Sequence, residues 1–239
     1  MNKIYIDAGT TWSKIIELKN GFSEYSLPKE YLIKAECDKN YYIMPSKILS
    51  RQNCLWKKTT GHMSALAKER GIPYVNEVIA LSRGILKSEL VNDVDFVAVD
   101  LGSRDIKWVR FEKGKFHDLD WNTSCAGATG ATVEMLLKFY DVNVEELEFN
   151  DTKYNITCGI YGLEKIMDDI ANGENAKSAI SKFIHGIAFN AWIFAKKSEK
   201  IYLSGGFCEN KCFVKSLEQY CDVVSLGRFV LCEGIVNEI

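Results

Sequence analysis

The chain has 239 residues, of which 47% are hydrophobic and 26% charged, and its formal net charge is -2. This length allows one large domain or two lobes, and this composition is sufficient for full hydrophobic cores. Because 30 basic and 32 acidic residues are mixed along the chain, charge gives no reason to expect nucleic acid or an anionic membrane surface as a partner. No apolar run approaches the length of a membrane span.

The start of the chain and its cysteines indicate the expected cellular compartment. Met1 to Ile4 lead directly into a strand-like run without the apolar core of a signal peptide, so the expected location is the cytoplasm. Eight cysteines in such a chain are expected to be reduced, and each is a buried hydrophobe, a metal ligand or a redox group. Six are predicted to be packing residues: Cys37, Cys54, Cys208, Cys212, Cys221 and Cys232.

The first third of the chain predicts a hairpin followed by two helices. Apolar runs flank the polar turn Asp7-Ala-Gly9-Thr10-Thr11. Residues 21–58 are expected to add strands and a connection. The expected bounds are 4–6 and 13–18 for the two strands, and 61–70 and 75–90 for the two helices, with a break at 71–73.

The hairpin motif occurs a second time. A β-branched run over 94–99 ends at Asp100-Leu-Gly102-Ser103-Arg104-Asp105, and a strand-like run over 106–111 follows. Aligning Asp7 with Asp100 superposes three further pairs: Gly9 with Gly102, Thr10 with Ser103, and Lys14 with Lys107. A repeated strand, Asp-x-Gly-hydroxyl turn and strand indicates a duplicated fold.

Two cysteines precede predicted helices. Cys125 lies in a turn that leads into a helical pattern ending near Tyr140, and Cys158 precedes a helix to about Ala171. The unpaired amides and dipole at a helix start favour the thiolate, which is the form that binds metal. Near Cys125, the small residues Gly127, Thr129 and Gly130 allow main-chain amides to approach a phosphate or cofactor.

The last part of the chain predicts a long helix and a glycine-containing turn. Apolar residues recur at helical spacing over 177–197, which indicates a core-facing helix. A short strand over 201–203 leads to Ser204-Gly205-Gly206, and Asn210 precedes an amphipathic helix through about Tyr220. Strand, double glycine and helix suggest close approach to a ligand.

The paired aspartates suit a nucleoside triphosphate with Mg²⁺. Asp7 and Asp100 are expected to hold hydrated Mg²⁺ while turn amides and the hydroxyls of Thr10, Thr11 and Ser103 bind phosphate oxygens. Gly205 and Gly206 offer a flat backbone patch for adenosine. Either repeat lysine, Lys14 or Lys107, is able to neutralise phosphate charge, but the favoured interpretation is that both lie on solvated strand faces.

Three ordered segments carry a family resemblance. The runs 6–11, 99–103 and 203–206 resemble the two phosphate loops and the adenosine loop of the acetate kinase, sugar kinase, Hsp70 and actin superfamily. Within it, the segments around Cys125 and Cys158 resemble the BadF/BadG/BcrA/BcrD-type ATPases, the ATP-dependent activators of 2-hydroxyacyl-CoA dehydratases and benzoyl-CoA reductases. The resemblance covers about residues 3–18 and 58–238, with further matches at Thr60-Gly61, Glu77, 184–188 and 206–210.

The resemblance implies an α/β protein with a duplicated ribonuclease H-like fold of the actin and Hsp70 type, with two lobes around a nucleotide cleft. The expected lobes are 1–95, to which the C-terminal helix returns, and 96–239. The implied cofactors are ATP, Mg²⁺ and one [4Fe-4S] cluster per homodimer, held by Cys125 and Cys158 of each copy. The implied partners are a dehydratase or reductase acceptor and a ferredoxin or flavodoxin donor. The implied catalytic residues are Asp7, Glu77, Asp100 and Arg104, and the implied nucleotide-binding residues are Gly9, Thr10, Thr11, Lys14, Gly102, Ser103, Gly127, Thr129, Gly130, Gly205, Gly206 and Asn210.

One departure from the family pattern leaves the activity open. Arg104 stands where the family has a glutamine, and a fixed cation is able to stabilise phosphate without orienting the attacking water. Besides an ATP-dependent electron donor, two alternatives therefore remain. One is a small-molecule kinase, such as a pantothenate or sugar kinase, with Asp100 as general base, and the other is a protein that senses ATP without hydrolysing it.

Overall fold

Two mixed β-sheets, one in each of two compact units, form the framework of the protein. The structure is a computed structural model that describes residues 2–19, 27–49, 56–62, 64–122, 129–156 and 159–236. The first unit comprises residues 1–91 together with 228–239, and the second comprises 92–227. The C-terminal segment is thus part of the first unit.

The secondary-structure elements of the described residues are as follows. The strands are β1 (Lys3–Ala8), β2 (Trp12–Leu18), β3 (Leu32–Ala35), β4 (Lys39–Pro45), β5 (Trp56–Gly61), β6 (Phe96–Leu101), β7 (Ile106–Glu112), β8 (Lys115–Asn122), β9 (Lys200–Gly205) and β10 (Asp222–Gly227). The helices are α1 (Ser46–Leu49), α2 (Ser64–Glu69), α3 (Glu77–Leu86), α4 (Gly130–Phe139), α5 (Gly159–Ala171), α6 (Ala176–Phe194), α7 (Lys211–Leu217) and α8 (Val230–Ile235).

The two sheets repeat one topology. In the first unit the strand order is β3-β4-β2-β1-β5, and in the second it is β10-β9-β6-β7-β8. Each sheet contains a hairpin, β1–β2 or β6–β7, with an antiparallel strand beside its second member and a parallel strand beside its first. The order β4-β2-β1-β5 therefore corresponds to β8-β7-β6-β9, which confirms the predicted duplication.

The local sequence explains most of the secondary-structure elements, and it also explains why one helix was predicted with a wrong start and one strand was not predicted. Both predicted hairpins are present, and α6 buries the face that carries Phe183 and Ile184. The helix predicted over 61–70 is wrong at its start, because β5 continues through Gly61 and α2 begins only at Ser64. Strand β8 was not predicted, because it lies at the sheet edge with Phe116 half exposed and lacks a buried apolar run.

Each unit has its own hydrophobic core. In the first unit the core includes Ile4, Ile6 and Ile15, and in the second α6 packs with apolar residues of β6, β7 and β9. Burying each such side chain contributes about 1.5 to 3 kcal/mol. In the described part of the chain, no helix combines the length and the apolar character needed to cross a bilayer.

Helix α8 packs closely on α3 through two glycines. A Cβ on Gly84 would lie 1.9 Å from the carbonyl oxygen of Val230, and a Cβ on Gly234 would lie 1.8 Å from that of Ala80. Only glycine permits backbones to approach so closely. This contact fixes the C-terminal helix to the first unit beside β5 and α3.

Candidate functional site

The first aspartate turn, residues 7–11, joins β1 to β2. Asp7 is 4% exposed and lies directly across the hairpin from Lys14, whose Nζ is 3.1 Å from Asp7 Oδ2. A Cβ on Gly9 would lie 2.5 Å from the carbonyl oxygen of Trp12, so the turn requires glycine there. Ser46, the first residue of α1, donates its hydroxyl to the Gly9 carbonyl at 2.6 Å. The turn is therefore held from outside the hairpin, while Thr10 at its tip is exposed.

The second aspartate turn, residues 100–105, joins β6 to β7 and has a more heavily bonded aspartate. Lys107 lies across from Asp100, and its Nζ is 3.6 Å from Asp100 Oδ2 and 3.2 Å from Asp105 Oδ1. Ser204 donates its hydroxyl to Asp100 Oδ1 at 2.8 Å, and Trp121 donates its indole N–H to Asp105 at 2.7 Å. This turn thus gathers two carboxylates and one ammonium group in a buried position, while Arg104 is exposed.

The favoured interpretation of the two lysines was wrong. Lys107 is 2% exposed and the side chain of Lys14 is 14% exposed, so neither lies on a solvated face. The hairpin register explains the difference, because it places each lysine opposite the aspartate of its own turn. A buried carboxylate needs a charge or hydrogen-bond partner, and the lysine supplies it.

The parallel strands extend the repeat beyond the hairpins. Gly61 ends β5 beside Ala8, and Gly205 ends β9 beside Leu101, with φ angles of +92° and +91°. A Cβ on Gly61 would lie 2.5 Å from the Ala8 carbonyl oxygen, and one on Gly205 would lie 2.3 Å from that of Leu101. Each aspartate strand therefore has a glycine-ended neighbour that brings a following turn close to it.

The residues before these glycines also correspond. Thr60 lies opposite Asp7 and Ser204 lies opposite Asp100. Ser204 bonds to its aspartate, whereas Thr60 Oγ1 is buried with no hydrogen-bond partner among the described residues. The predicted glycine turn, Ser204 to Gly206, continues into a 3-10 turn at Gly206–Glu209, and Gly206 is exposed. Asn210 caps α7, since its Oδ1 accepts a hydrogen bond from the Phe213 amide at 2.9 Å.

The N-terminus of α4 lies directly on the second aspartate turn. Thr129 Oγ1 donates to the Ser103 carbonyl at 2.7 Å, and the Ala131 amide donates to the same carbonyl at 2.8 Å. The Gly130 amide donates to the Gly102 carbonyl at 3.3 Å. Hence three donors at the start of this helix are bonded to the turn itself.

Glu77 and His62 form a pair in the first unit. Glu77 is the first residue of α3 and is 4% exposed, and its Oε1 lies 3.0 Å from His62 Nδ1. His62 directly follows Gly61, and its amide donates to the Ala8 carbonyl at 2.8 Å. The sequence analysis singled out Glu77, named Thr60, Ser204 and Asp105 within motifs without assigning them a role, and did not name His62. The position of His62 after Thr60-Gly61 was the available signal.

Three predicted residues, Cys125, Gly127 and Cys158, lie outside the described residues. The packing prediction is confirmed for Cys208, Cys212, Cys221 and Cys232, which are buried. It is wrong for Cys37, which is exposed, and Cys54 lies outside the described residues. Burial raises the pKa of the Cys212 thiol, as expected of a packing residue rather than a metal ligand.

Comparison with solved structures shows the fold. The chain superposes on the activator of the 2-hydroxyisocaproyl-CoA dehydratase from Clostridium difficile with bound ADPNP, with a TM-score of 0.73 and 15% identity, covering 98% of this chain and 92% of the other. The fold, with its two mixed five-stranded sheets, therefore matches that of the actin-like ATPase structures.

Sequence comparison finds two distant relatives. No protein-family model matches the chain. It is 22% identical over 130 residues to the (R)-2-hydroxyglutaryl-CoA dehydratase activating ATPase of Acidaminococcus fermentans, and 22% identical over 129 residues to the activator of lactoyl-CoA dehydratase of Anaerotignum propionicum. The two alignments cover 51% and 50% of this chain, respectively. The chain spans about half the length of the curated relatives it matches. The chain is thus distantly similar to two ATP-dependent activators of 2-hydroxyacyl-CoA dehydratases in sequence, and similar to such an activator in fold.

Proposed function

We propose that this protein is an ATP-dependent activator that couples binding and hydrolysis of Mg-ATP to one-electron transfer toward a dehydratase or reductase partner. Carboxylate oxygens are the ligands that Mg²⁺ prefers, and Asp7 and Asp100 supply one at each turn. Lys14 Nζ lies 3.1 Å from Asp7 Oδ2, and Lys107 Nζ lies 3.6 Å from Asp100 Oδ2. Because the lysines offset part of the aspartate charge, these carboxylates suit a hydrated Mg²⁺ held through its waters.

The observation that carries the proposal is the direct bonding of α4 to the second aspartate turn. The same segment that contains Cys125 ends in Thr129 and Gly130, which bond to the carbonyls of Ser103 and Gly102. A change in the turn when nucleotide is bound or hydrolysed would shift these carbonyls and, with them, the start of α4. The turn and the start of α4, which follows Cys125 in the sequence, are therefore joined by three hydrogen bonds.

Cys125 and Cys158 are the proposed cluster ligands, and the donor chemistry fits. Cysteine thiolates hold [4Fe-4S] clusters, and α5 begins at Gly159, immediately after Cys158. Two thiolates from one chain are half of the required set, so a second copy related by a two-fold axis completes it. When bound, the cluster supplies low-potential one-electron transfer, and a reduced ferredoxin or flavodoxin refills it. We place the protein in the cytoplasm, where such thiols stay reduced.

Iron and acid-labile sulfide analysis of anaerobically purified protein tests the proposal. About four irons per dimer are expected in the wild type and in Cys37→Ser, since Cys37 is exposed and is not a proposed ligand. Cys125→Ser is expected to lose the cluster. A colourless wild-type protein that binds ATP but gains no iron on anaerobic reconstitution would contradict the proposal and favour the kinase alternative.

A nucleotide measurement tests the coupling separately. Thr129→Val removes the hydroxyl that bonds to Ser103 and nearly preserves side-chain volume. We expect this variant to bind ATP and to retain its iron but to lose much of the nucleotide-dependent change in the visible or EPR spectrum of the cluster. An unchanged spectral response would refute the link through α4. Thr152→Val is the control, since the hydroxyl of this exposed threonine bonds locally to Asn150.

A further inference from the structure

We propose that Thr60 is the residue that holds Asp7 when a bound nucleotide draws Lys14 away from that carboxylate. The inference rests on the proposed function and gives a positioning role to a hydroxyl that the sequence patterns leave without one. Thr60 is fully buried, and its Oγ1 has no hydrogen-bond partner among the described residues. A buried hydroxyl without a partner costs free energy, so a residue that keeps one is expected to use it in another state of the protein.

Thr60 lies where its hydroxyl is able to reach Asp7. The parallel register of β1 and β5 places the two residues side by side, and such neighbours extend from the same face of a sheet. The second unit contains the same arrangement, in which Ser204 lies beside Asp100 and donates its hydroxyl to Oδ1 at 2.8 Å. The hydrogen bond that Asp7 lacks is therefore one that this geometry permits.

The position of the lysine explains why the two copies of the motif differ. Lys14 Nζ donates to Asp7 Oδ2 at 3.1 Å. Lys107 Nζ lies 3.6 Å from Asp100, which is beyond hydrogen-bond length, and donates to Asp105 at 3.2 Å. In the first turn a tryptophan stands at the position of Asp105, so that position offers no second carboxylate to the lysine. One aspartate is thus bonded by its lysine and the other by its neighbouring hydroxyl, which are two alternative states of one motif.

A nucleotide would bring the first turn into the second of these states. The side chain of Lys14 is 14% exposed, against 2% for Lys107, so its ammonium group is the more accessible of the two to a phosphate oxygen. A bond between ammonium and phosphate is charge-assisted and competes with the bond to Asp7. Once Lys14 turns to the phosphate, Asp7 needs another donor, because a buried carboxylate that loses its partner is costly. Rotation of the Thr60 side chain supplies that donor and satisfies both buried groups.

Helix α8 brings one other donor to this part of the sheet, and that donor is engaged. The thiol sulfur of Cys232 lies 3.2 Å from the Tyr5 carbonyl oxygen and 3.6 Å from that of Lys14. Burial raises the pKa of this thiol, so it remains protonated and bonded to the main chain. Thr60 is therefore the better placed of the two to replace the lysine.

A cycle of variants tests the exchange without nucleotide, on the anaerobically reconstituted full chain. Thr60→Val replaces the unsatisfied hydroxyl by a methyl group of similar size, so it should raise the thermal midpoint by about 2 to 4 °C. In the Lys14→Met background, the hydroxyl of Thr60 is expected to bond to Asp7 already, so there Thr60→Val should lower the midpoint instead. The matched control is Thr59→Val, which loses the bond from Thr59 Oγ1 to the Ile6 carbonyl at 3.0 Å and should lower the midpoint in both backgrounds.

Calorimetric titration with Mg²⁺ and ADPNP, a non-hydrolysable analogue of ATP, tests the coupling to the ligand. Thr60→Val should weaken binding by about tenfold or more, because the variant has no hydroxyl to replace Lys14 at Asp7. Thr60→Ser keeps the hydroxyl and should bind within about threefold of the wild type, as should Thr59→Val. A purely structural role of Thr60 would not combine a more stable free protein with weaker nucleotide binding.

The outcomes separate this inference from the function on which it rests. If Thr60→Val fails to raise the midpoint in the wild-type background, or raises it beside Lys14→Met as well, the exchange is refuted. If ADPNP binds to Thr60→Val as tightly as to the wild type, the role of Thr60 is refuted and the proposed activator function stands. If the wild type binds no nucleotide, both proposals fail.

Discussion

Replacing Lys107 with methionine is predicted to destabilise the second unit by about 3 to 5 kcal/mol. Lys107 is 2% exposed, and its ammonium nitrogen lies 3.2 Å from Asp105 and 3.6 Å from Asp100. The aspartate side chains are only 4% and 8% exposed, so methionine would leave two carboxylates together where water has little access. Removing one partner of a buried ion pair costs this much because the remaining charge is uncompensated. Since whole domains are stable by about 5 to 15 kcal/mol, the loss is a large fraction of the total.

The repeat supplies the control. Lys14→Met removes the corresponding lysine from beside Asp7. The side chain of Lys14 is 14% exposed, against 2% for Lys107, so we expect a smaller loss, of about 1 to 3 kcal/mol. Urea unfolding followed by tryptophan fluorescence and circular dichroism measures both values, and coincidence of the two probes checks for intermediates. Combining Lys107→Met with Asp105→Asn should recover stability, because one carboxylate is removed while an amide oxygen remains for Trp121. A loss below about 1 kcal/mol for Lys107→Met, or a double variant less stable than the single one, would refute the reasoning.

Three further predictions concern stability and reactivity. Glu17 is fully buried and accepts three side-chain hydrogen bonds, so Glu17→Gln is expected to cost about 1 to 3 kcal/mol in urea unfolding, and a neutral result would contradict the network. Gly205→Ala is expected to cost about 1 to 3 kcal/mol or more, because φ is +91° and the new Cβ would lie 2.3 Å from a carbonyl oxygen. A Cβ on Gly206 would meet nothing within 4 Å, so Gly206→Ala should be nearly neutral. Equal losses of stability in the two variants would disprove this account. Burial raises the pKa of Cys221 to about 12, so below that pH the thiol stays protonated and alkylation, followed by mass spectrometry, should speed up with each pH unit toward 12. Exposed Cys37 is expected to be labelled first at pH 8, and equal labelling of both cysteines there would refute the prediction.

The fold was largely accessible from the sequence because the repeat has a local signature. An apolar run, an aspartate, a glycine and a hydroxyl residue each have a short-range role, so both hairpins were predicted within a few residues. Helix α6 was predictable for the same reason, since its buried residues recur at helical spacing. Strand β10 was missed because it lies at the edge of the sheet and contains no fully buried residue, so it lacks a buried apolar run.

The site was less accessible because its contacts join residues that are distant in sequence. The burial of Lys14 and Lys107 depends on cross-strand register, which a one-residue shift would reverse. The His62–Glu77 bond joins a strand end to a helix start, and no periodicity marks either end. Similarly, the bond from Ser204 to Asp100 spans 104 residues and forms only when the parallel pairing is known.

Under the proposed function, the differences between the two copies of the motif predict which turn responds to a bound nucleotide. The first turn is bonded at Gly9 to Ser46 of the short helix α1, and Thr60 Oγ1 beside Asp7 has no partner among the described residues. In the second turn, the hydroxyl of Ser204 is already bonded to Asp100, and the carbonyls of the turn bond to the start of α4. A turn whose side chains are engaged and whose carbonyls hold a helix transmits displacement, whereas a turn with an uncommitted buried hydroxyl has a donor left for a ligand. Under the proposed function, this asymmetry predicts that displacement of the second turn, rather than of the first, is passed to α4 and to the residues that precede it in the sequence.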